Sequence, residues 1–274
     1  MLGIVTLALK AKNTCKLPEF PGRFLHAAVF SLLGSIDEAS STYWHNLAGI
    51  KPFTVSLQYS KKRRDASIQA GDIVYLRIHV WHRELWYVLE EIPQILALQI
   101  GPLEAMAVDV QYDAPFNLPL SGENALILVE RCLTAKPTKR VEIDFVTPTS
   151  FNGTYGEITF PKAELIFASI VDKWNAGDEE QALDKARIKE LCERIVLTDW
   201  KGHTKRVYFG RDRGITGFVG GFTFDLSKLN DEERQLITIL ATFGQHCGVG
   251  RLSSQGLGQV RVTVTVHMLS LIHI

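Results

Sequence analysis

The stretch GVGRLSSQGLGQV, residues 248–260, holds the densest chemistry in this 274-residue chain. Gly248, Gly250, Gly256 and Gly258 permit positive φ and close backbone approach. Where such glycines bare their N–H groups, phosphate oxygens can be met. Arg251, Ser253 and Ser254 stand between them and could add charge-assisted and hydroxyl contacts to the same anion. No GK[ST] is present, so this is not a Walker loop. Nor is it a dinucleotide fingerprint, because it follows a helical stretch and opens a strand. Taken alone, the commoner reading is a flexible helix-to-strand connection.

Basic residues cluster at Lys61, Lys62, Arg63 and Arg64, at Lys136, Lys139 and Arg140, and at Lys201, Lys205, Arg206, Arg211 and Arg213. Formal net charge is nevertheless zero, 30 Lys and Arg against 30 Asp and Glu. Global charge therefore makes no argument for nucleic acid, and any such argument is local. Acidic stretches (Glu90, Glu91; Asp178, Glu179, Glu180) balance the basic ones. Segregated charge suits a one-sided phosphate contact; the plain alternative for each cluster is a solvated turn. Trp200 and Tyr208 could stack on bases or lie in a core. Cys15, Cys132, Cys192 and Cys247 are scattered without a CxxC pair, so neither a zinc site nor any cofactor is expected, and reduced thiols fit a cytoplasmic protein.

These groups need elements to place them. Residues 3–12 read as a strand and 22–35 as a helix, with Leu25, Ala28, Val29 and Leu32 on one face and Arg23, His26 and Phe30 on the other. STYWHNLA is a short second helix; KPFTVSLQYS and GDIVYLRIHVW are strands; ELWYVLEEIPQILAL is a helix interrupted by Pro93; LEAMAVDVQYD is a strand. The second half repeats the rhythm. KRVEIDFVTPTSF is a strand and PKAELIFASIVDKWNAG a helix. Residues 195–210 suggest strands around a turn at Lys201-Gly202. TGFVGGFTFDL is a strand with Phe218, Phe222 and Phe224 on one face. NDEERQLITILATFG is a helix opened by an Asn230–Glu233 capping box, and the last strand alternates valines. This implies an α+β chain of two tandem ferredoxin-like (RRM-like) domains, residues 1–135 and 136–268, with the boundary near 133–139. Residues 269–274, LSLIHI, match one reading frame of a common DNA-library adaptor and are read as a non-native tail. No run of about 18 apolar residues suggests a membrane span, and the apolar N-terminus lacks the marks of a signal peptide.

The pattern G-x-G-x5-G-x-G-x-V near the C-terminal end resembles the signature of the CRISPR-associated repeat-processing endoribonucleases, a branch of the RAMP superfamily. FTFDLSKLNDEERQLITILATFGQHCGVG, IDFVTPTSF with PKAELIFASIVDKWN, and FLHAAVFSLL, STYWHN and KPFTVSLQY resemble successive parts of that family, from about residue 3 to residue 266. The resemblance implies metal-independent cleavage of CRISPR repeat RNA into guide crRNA. In that reaction the 2′-hydroxyl attacks the adjacent phosphate and leaves a 2′,3′-cyclic phosphate and a 5′-hydroxyl. The substrate supplies the nucleophile, so what is wanted is in-line alignment, proton transfer and charge stabilisation.

By the resemblance, His45 serves the proton step and Lys51, six residues on, the developing charge. Some relatives carry a Tyr where Phe30 stands, and Tyr43 is the available replacement for that hydroxyl. His26, beside Arg23 on the first helix, is a further proton carrier. Expected RNA contacts are Gly248, Gly250, Arg251, Ser253, Ser254, Gly256, Gly258, Lys205, Arg206, Arg211, Arg213 and Arg23, with the loop lying away from His45. Expected partners are repeat RNA and, for a chain that stays bound to its product, other subunits of a CRISPR effector complex. The alternative is a non-cutting subunit that holds the crRNA hairpin in an effector or guided-transposition complex.

Overall fold

The structure, a computed structural model, describes residues 2–59, 67–113, 137–177, 182–209 and 214–264. The basic turn at 61–64, Lys136, Arg211 and Arg213, most of the expected boundary, the acidic run at 178–180 and the tail 269–274 lie outside the described residues.

β1 (Gly3–Ala11) buries Val5, Leu7, Leu9 and Ala11 on one face, the period-2 pattern of a half-covered strand. It is the centre of a five-stranded sheet ordered β2-β3-β1-β5-β4, where β2 is Phe53–Gln58, β3 Ile73–Val80, β4 Ala97–Ile100 and β5 Leu103–Asp113. Every pairing is antiparallel. Helices α1 (Gly22–Ile36) and α3 (Arg83–Glu90) cover its core face, and α2 (Glu38–Asn46) folds back against α1, Ser41 donating to the Phe30 carbonyl at 2.9 Å. Leu25, Ala28, Val29 and Leu32 are buried as their spacing implies. Asp37 caps α2, accepting from the amides of Ala39 and Ser40.

The second sheet is ordered β11-β6-β10-β9, from β6 (Arg140–Thr149), β9 (Val196–Tyr208), β10 (Gly214–Asp225) and β11 (Val260–Val264). Helices α4 (Ala163–Gly177) and α6 (Asp231–Cys247) pack on it, with α5 (Lys185–Cys192) beside α4 and a small β7–β8 hairpin (Phe151–Gly153, Gly156–Ile158) at one end. Setting aside the added strand β4, both sheets have the 4-1-3-2 order of the βαββαβ unit, so the chain is two ferredoxin-like units in tandem. Each has its own core.

Three local expectations need correction. The helix before Pro93 stops at Glu90, and the residues beyond it form β4, because proline removes a helical donor. β9 runs unbroken through Lys201-Gly202: Gly202 makes no turn, but a Cβ there would stand 2.4 Å from the Phe218 ring across the sheet. Helix α5 was not foreseen. It is short and largely charged, and its clearest cue is Asp184, which caps the amides of Ala186 and Arg187. The Asn230–Glu233 capping box forms as expected.

The two units are joined by side chains that cross between them. Trp81 of the first lies in the core of the second and donates its indole N–H to the Lys173 carbonyl, 2.9 Å. Thr54 donates to the His246 carbonyl, 2.8 Å, and His79 meets His246 ring to ring, Nδ1 to Nδ1, at 3.2 Å. Gln259 donates to the Val55 carbonyl, 3.0 Å. Val207, Phe209, Ile215 and Leu257 form a small cluster against Phe20 and Leu252.

Candidate active site and nucleic-acid interface

His26 and His45 come together around one ring. Phe30, expected on the polar side of α1, is 8% exposed. The imidazoles of His26 and His45 pack edge-on against it with centroids 4.9 and 5.0 Å away. Phe53 stacks on His26 at 5.8 Å and also meets Phe30 edge-on at 5.7 Å, so the three rings pack as a triangle. The position that carries a tyrosine in some relatives is here an apolar spacer between two histidines.

The two differ in how they are held. His45 is exposed on the last turn of α2. His26 is half-buried, and its Nδ1 lies 3.1 Å from the Ser254 carbonyl. A carbonyl oxygen only accepts, so Nδ1 carries the proton and Nε2 is left with its lone pair. Burial is the largest influence on its pKa and lowers it. The Ser254 carbonyl opposes that shift, while His45 and Lys51 lower it further. The imidazole is thereby held in its neutral form, as a general base requires.

Lys51 donates to the carbonyls of His45, at 2.9 Å, and of Leu47. It closes the C-terminal end of α2, where unpaired carbonyls favour a cation, and so ties down the backbone that carries His45. Burial lowers its pKa. Tyr43 does not join this group: 57% exposed, it packs on Trp44. Two residues from His45, it leaves the helix on another side.

The Gly-rich loop is closely hydrogen-bonded and reaches the first unit. Its neck is closed in both directions, Val249 N–H donating to the Gly258 carbonyl at 2.8 Å and Gly258 N–H to Pro148 at 3.2 Å. A Cβ on Gly258, where φ is +67°, would lie 1.9 Å from the Val249 oxygen, so glycine is needed there for the loop to close on itself. The amides of Gly248, Gly250, Arg251, Gly256 and Gln259 are also bonded within the protein. The expectation that the glycines bare their N–H groups to phosphate is therefore corrected. Among the described residues, the amides of Leu252, Ser253 and Ser254 lack a backbone partner. They open the 3-10 turn Ser253–Gln255, and Leu252, Ser253 and Ser254 all line a cleft.

That cleft, about 580 Å³, runs between the units with Lys51 and Ile50 on one wall and Arg251, Lys173, Lys185 and Lys189 on the other. The loop and Lys51 thus share one space. Sequence reading did not single out Lys185 and Lys189, which stand on the unforeseen α5.

Other expected contacts are engaged in pairs. Arg251 bridges Glu157 at 2.6 Å and Lys205 bridges Glu19 at 2.6 Å. Arg206 lies over the Tyr208 ring, 5.6 Å to its centroid. Arg23 donates to the Phe209 carbonyl at 3.3 Å and covers its ring, which makes it first a strut between the units. Trp200 is 51% exposed yet stacks on the buried Phe222. Among the described residues no group of three or more His, Cys, Asp or Glu could hold a metal ion, and no helix is long and apolar enough to cross a membrane.

Comparison with known proteins points one way. The family model described as CRISPR-associated endoribonuclease Cas6 matches residues 143–260. The CRISPR-associated endoribonuclease Cas6 of Mycobacterium tuberculosis is 28% identical over 175 residues, 60% of this chain and 54% of that protein. That of Streptococcus thermophilus is 29% identical over 121 residues, 44% and 49%. The chain thus matches about half the length of these curated relatives. A solved Cas6 product complex superimposes with a TM-score of 0.71 at 22% identity, covering 96% of this chain and 100% of that one. With two ferredoxin-like units, the Gly-rich loop between them and these matches, the chain is similar to the CRISPR-associated Cas6 endoribonucleases.

Proposed function

We propose that this protein binds CRISPR repeat RNA in the cleft between its units and cuts it without a metal ion, releasing guide crRNA. The observation that carries the reading is the tautomer of His26, whose Nδ1 is spent on the Ser254 carbonyl and whose Nε2 is a free base. In the reaction Nε2 takes the proton of the 2′-hydroxyl as its oxygen bonds to phosphorus. The P–O5′ bond breaks, and His45 in its protonated form gives a proton to the departing 5′-oxygen. A 2′,3′-cyclic phosphate and a 5′-hydroxyl result. Lys51, at the cleft wall beside His45, is the cation for the charge that grows on the phosphoryl oxygens. The amides at Leu252–Ser254 with Arg251, Lys185 and Lys189 face the flanking phosphates. Lys205 and Arg206 on β9 extend the contact along the second unit, and Arg23 adds to it from α1 of the first. Cytoplasmic location and association with other CRISPR effector subunits follow from this reading.

Labelled repeat RNA incubated with the protein in EDTA tests it. Cleavage is expected with the all-ribose substrate and none when the nucleotide 5′ to the cut is 2′-deoxy. Cutting of the deoxy substrate, or a requirement for added metal, rejects the mechanism. Tight binding without cutting makes the chain a crRNA-holding subunit instead.

A further inference from the structure

Lys173 is the most thoroughly buried cation of the described chain, 3% exposed in the middle of α4. A lysine there costs several kcal/mol of lost hydration unless its ammonium is satisfied, and an apolar residue would fill the space without that cost. Its ammonium donates to the Gly248 carbonyl at 2.9 Å and the Gly250 carbonyl at 3.0 Å. One turn earlier on the same helix, Ser169 accepts from the Gly250 amide at 2.7 Å. Lys173 also accepts the Trp81 indole N–H on its own carbonyl, which fixes the helix to the first unit. Burial pulls its pKa down to about 8, while Cys247 on α6 and the neighbouring Asp172 oppose that shift, so the cation persists at neutral pH.

From Gly250 the loop has a short, determined course. Arg251 N–H donates to Ser150 at 3.0 Å, the 3-10 turn follows, and Ser254 delivers its carbonyl to His26. The approach is close enough that a Cβ on Gly22, at the start of α1, would meet the Gln255 oxygen at 2.0 Å. A shift of the loop by a fraction of a bond length therefore alters what His26 Nδ1 sees. Neutral imidazole in water prefers its proton on Nε2, so the Ser254 carbonyl reverses an intrinsic preference.

We propose that Lys173 is a positioning residue for cleavage: by holding the Gly248 and Gly250 carbonyls it shapes the loop that presents Ser254 to His26, and so sets which nitrogen of that imidazole carries the proton. The proposal rests on the reading of His26 as the base. A misplaced tautomer disables a histidine base without removing it, so the effect belongs to the cleavage step more than to RNA affinity.

The test uses the full chain with ¹⁵N-histidine, the His26 signals assigned by their loss in His26→Gln. Long-range ¹H–¹⁵N spectra should show Nδ1–H in the unaltered protein and a shift toward Nε2–H in Lys173→Met. Single-turnover cleavage at saturating protein should fall by up to roughly 10²-fold, the scale of a proton-transfer contribution, with affinity for repeat RNA within about twofold. In a His26→Ala background Lys173→Met should add little further loss. If Lys173→Met does not fold by circular dichroism, Ser169→Ala loosens the same loop and is read the same way. An unchanged tautomer, or an equal loss of rate in both backgrounds, overturns the proposal. Failure of the unaltered protein to cut repeat RNA overturns the enzymatic reading instead, and the tautomer measurement still decides what Lys173 does to the ring.

Discussion

His45 stands exposed at the end of a two-turn helix, with one phenylalanine ring against it and one lysine below its carbonyl. Ser254, across the cleft mouth in the second unit, sits in a loop whose amides are nearly all bonded, pinned by a buried lysine. Two units of one topology have thus divided the work. The first offers reactive side chains with room around them; the second offers a rigid backbone that orients one of them. Residues in the first region should fail chemically when changed, and residues in the second should fail by losing shape.

The largest expected effect tests the first half of that contrast. His45→Ala and His26→Ala should each slow single-turnover cleavage roughly 10²–10⁴-fold and leave RNA affinity nearly intact. A His45→Ala protein that cuts at the unaltered rate removes His45 from the mechanism. Tyr43→Phe should change neither quantity.

Next in size is the seam between the units. His79 and His246 face each other there, their pKa values pulled down mainly by burial to about 3 and about 4. Both are neutral when folded, whereas in the unfolded chain each titrates near 6.5. Their contribution is full above pH 6.5 and is lost as pH falls toward 4, because only the unfolded chain takes up the protons. Between pH 6.5 and 5 the loss should be on the order of 3 kcal/mol. Urea midpoints at the two pH values should converge in the His79→Gln, His246→Gln double variant; unchanged divergence would show that acid sensitivity arises elsewhere.

The rigid loop is tested by Gly258→Ala. Its methyl group meets the Val249 oxygen in a backbone region that disfavours side chains. A loss of about 2 kcal/mol in stability is expected by thermal unfolding, together with weaker RNA binding. A variant of unaltered stability would mean that the neck gives way at no cost.

Smallest, and opposite in sign, is Glu157→Gln. It frees Arg251 from its ion pair, so RNA affinity should rise a few-fold and the dependence of log affinity on log salt should steepen by up to about one unit. Arg251→Gln should flatten it. Equal behaviour in the two variants would place Arg251 outside the RNA contact.

Much of this architecture was legible in the residues. β1, α1 and the capped α6 follow from period-2 and period-3.6 burial and from Asn230 with Glu233. What escaped depends on contacts distant in sequence. Phe30 reads as polar-side on a helical wheel and becomes buried because α2 folds back with His45 over it. Gly202 reads as a turn until Phe218 is seen beneath it. Lys173 is hidden in an otherwise apolar helix, where nothing local says that a lysine will stay inside. The glycines were rightly singled out, but their purpose differs: most serve the loop's closure upon itself, and the exposed donors fall between them.

The acceptor that orients His26 lies 228 residues further along the chain. A ribosome adding about 5–20 residues per second takes on the order of 10–45 s to cover that distance. Throughout that interval the growing polypeptide displays its histidines on an emerging first unit while the loop that commits one of them to its working tautomer has yet to be made. On the proposed mechanism, competence to cut RNA is timed by translation, arriving only once the second unit has closed over the first.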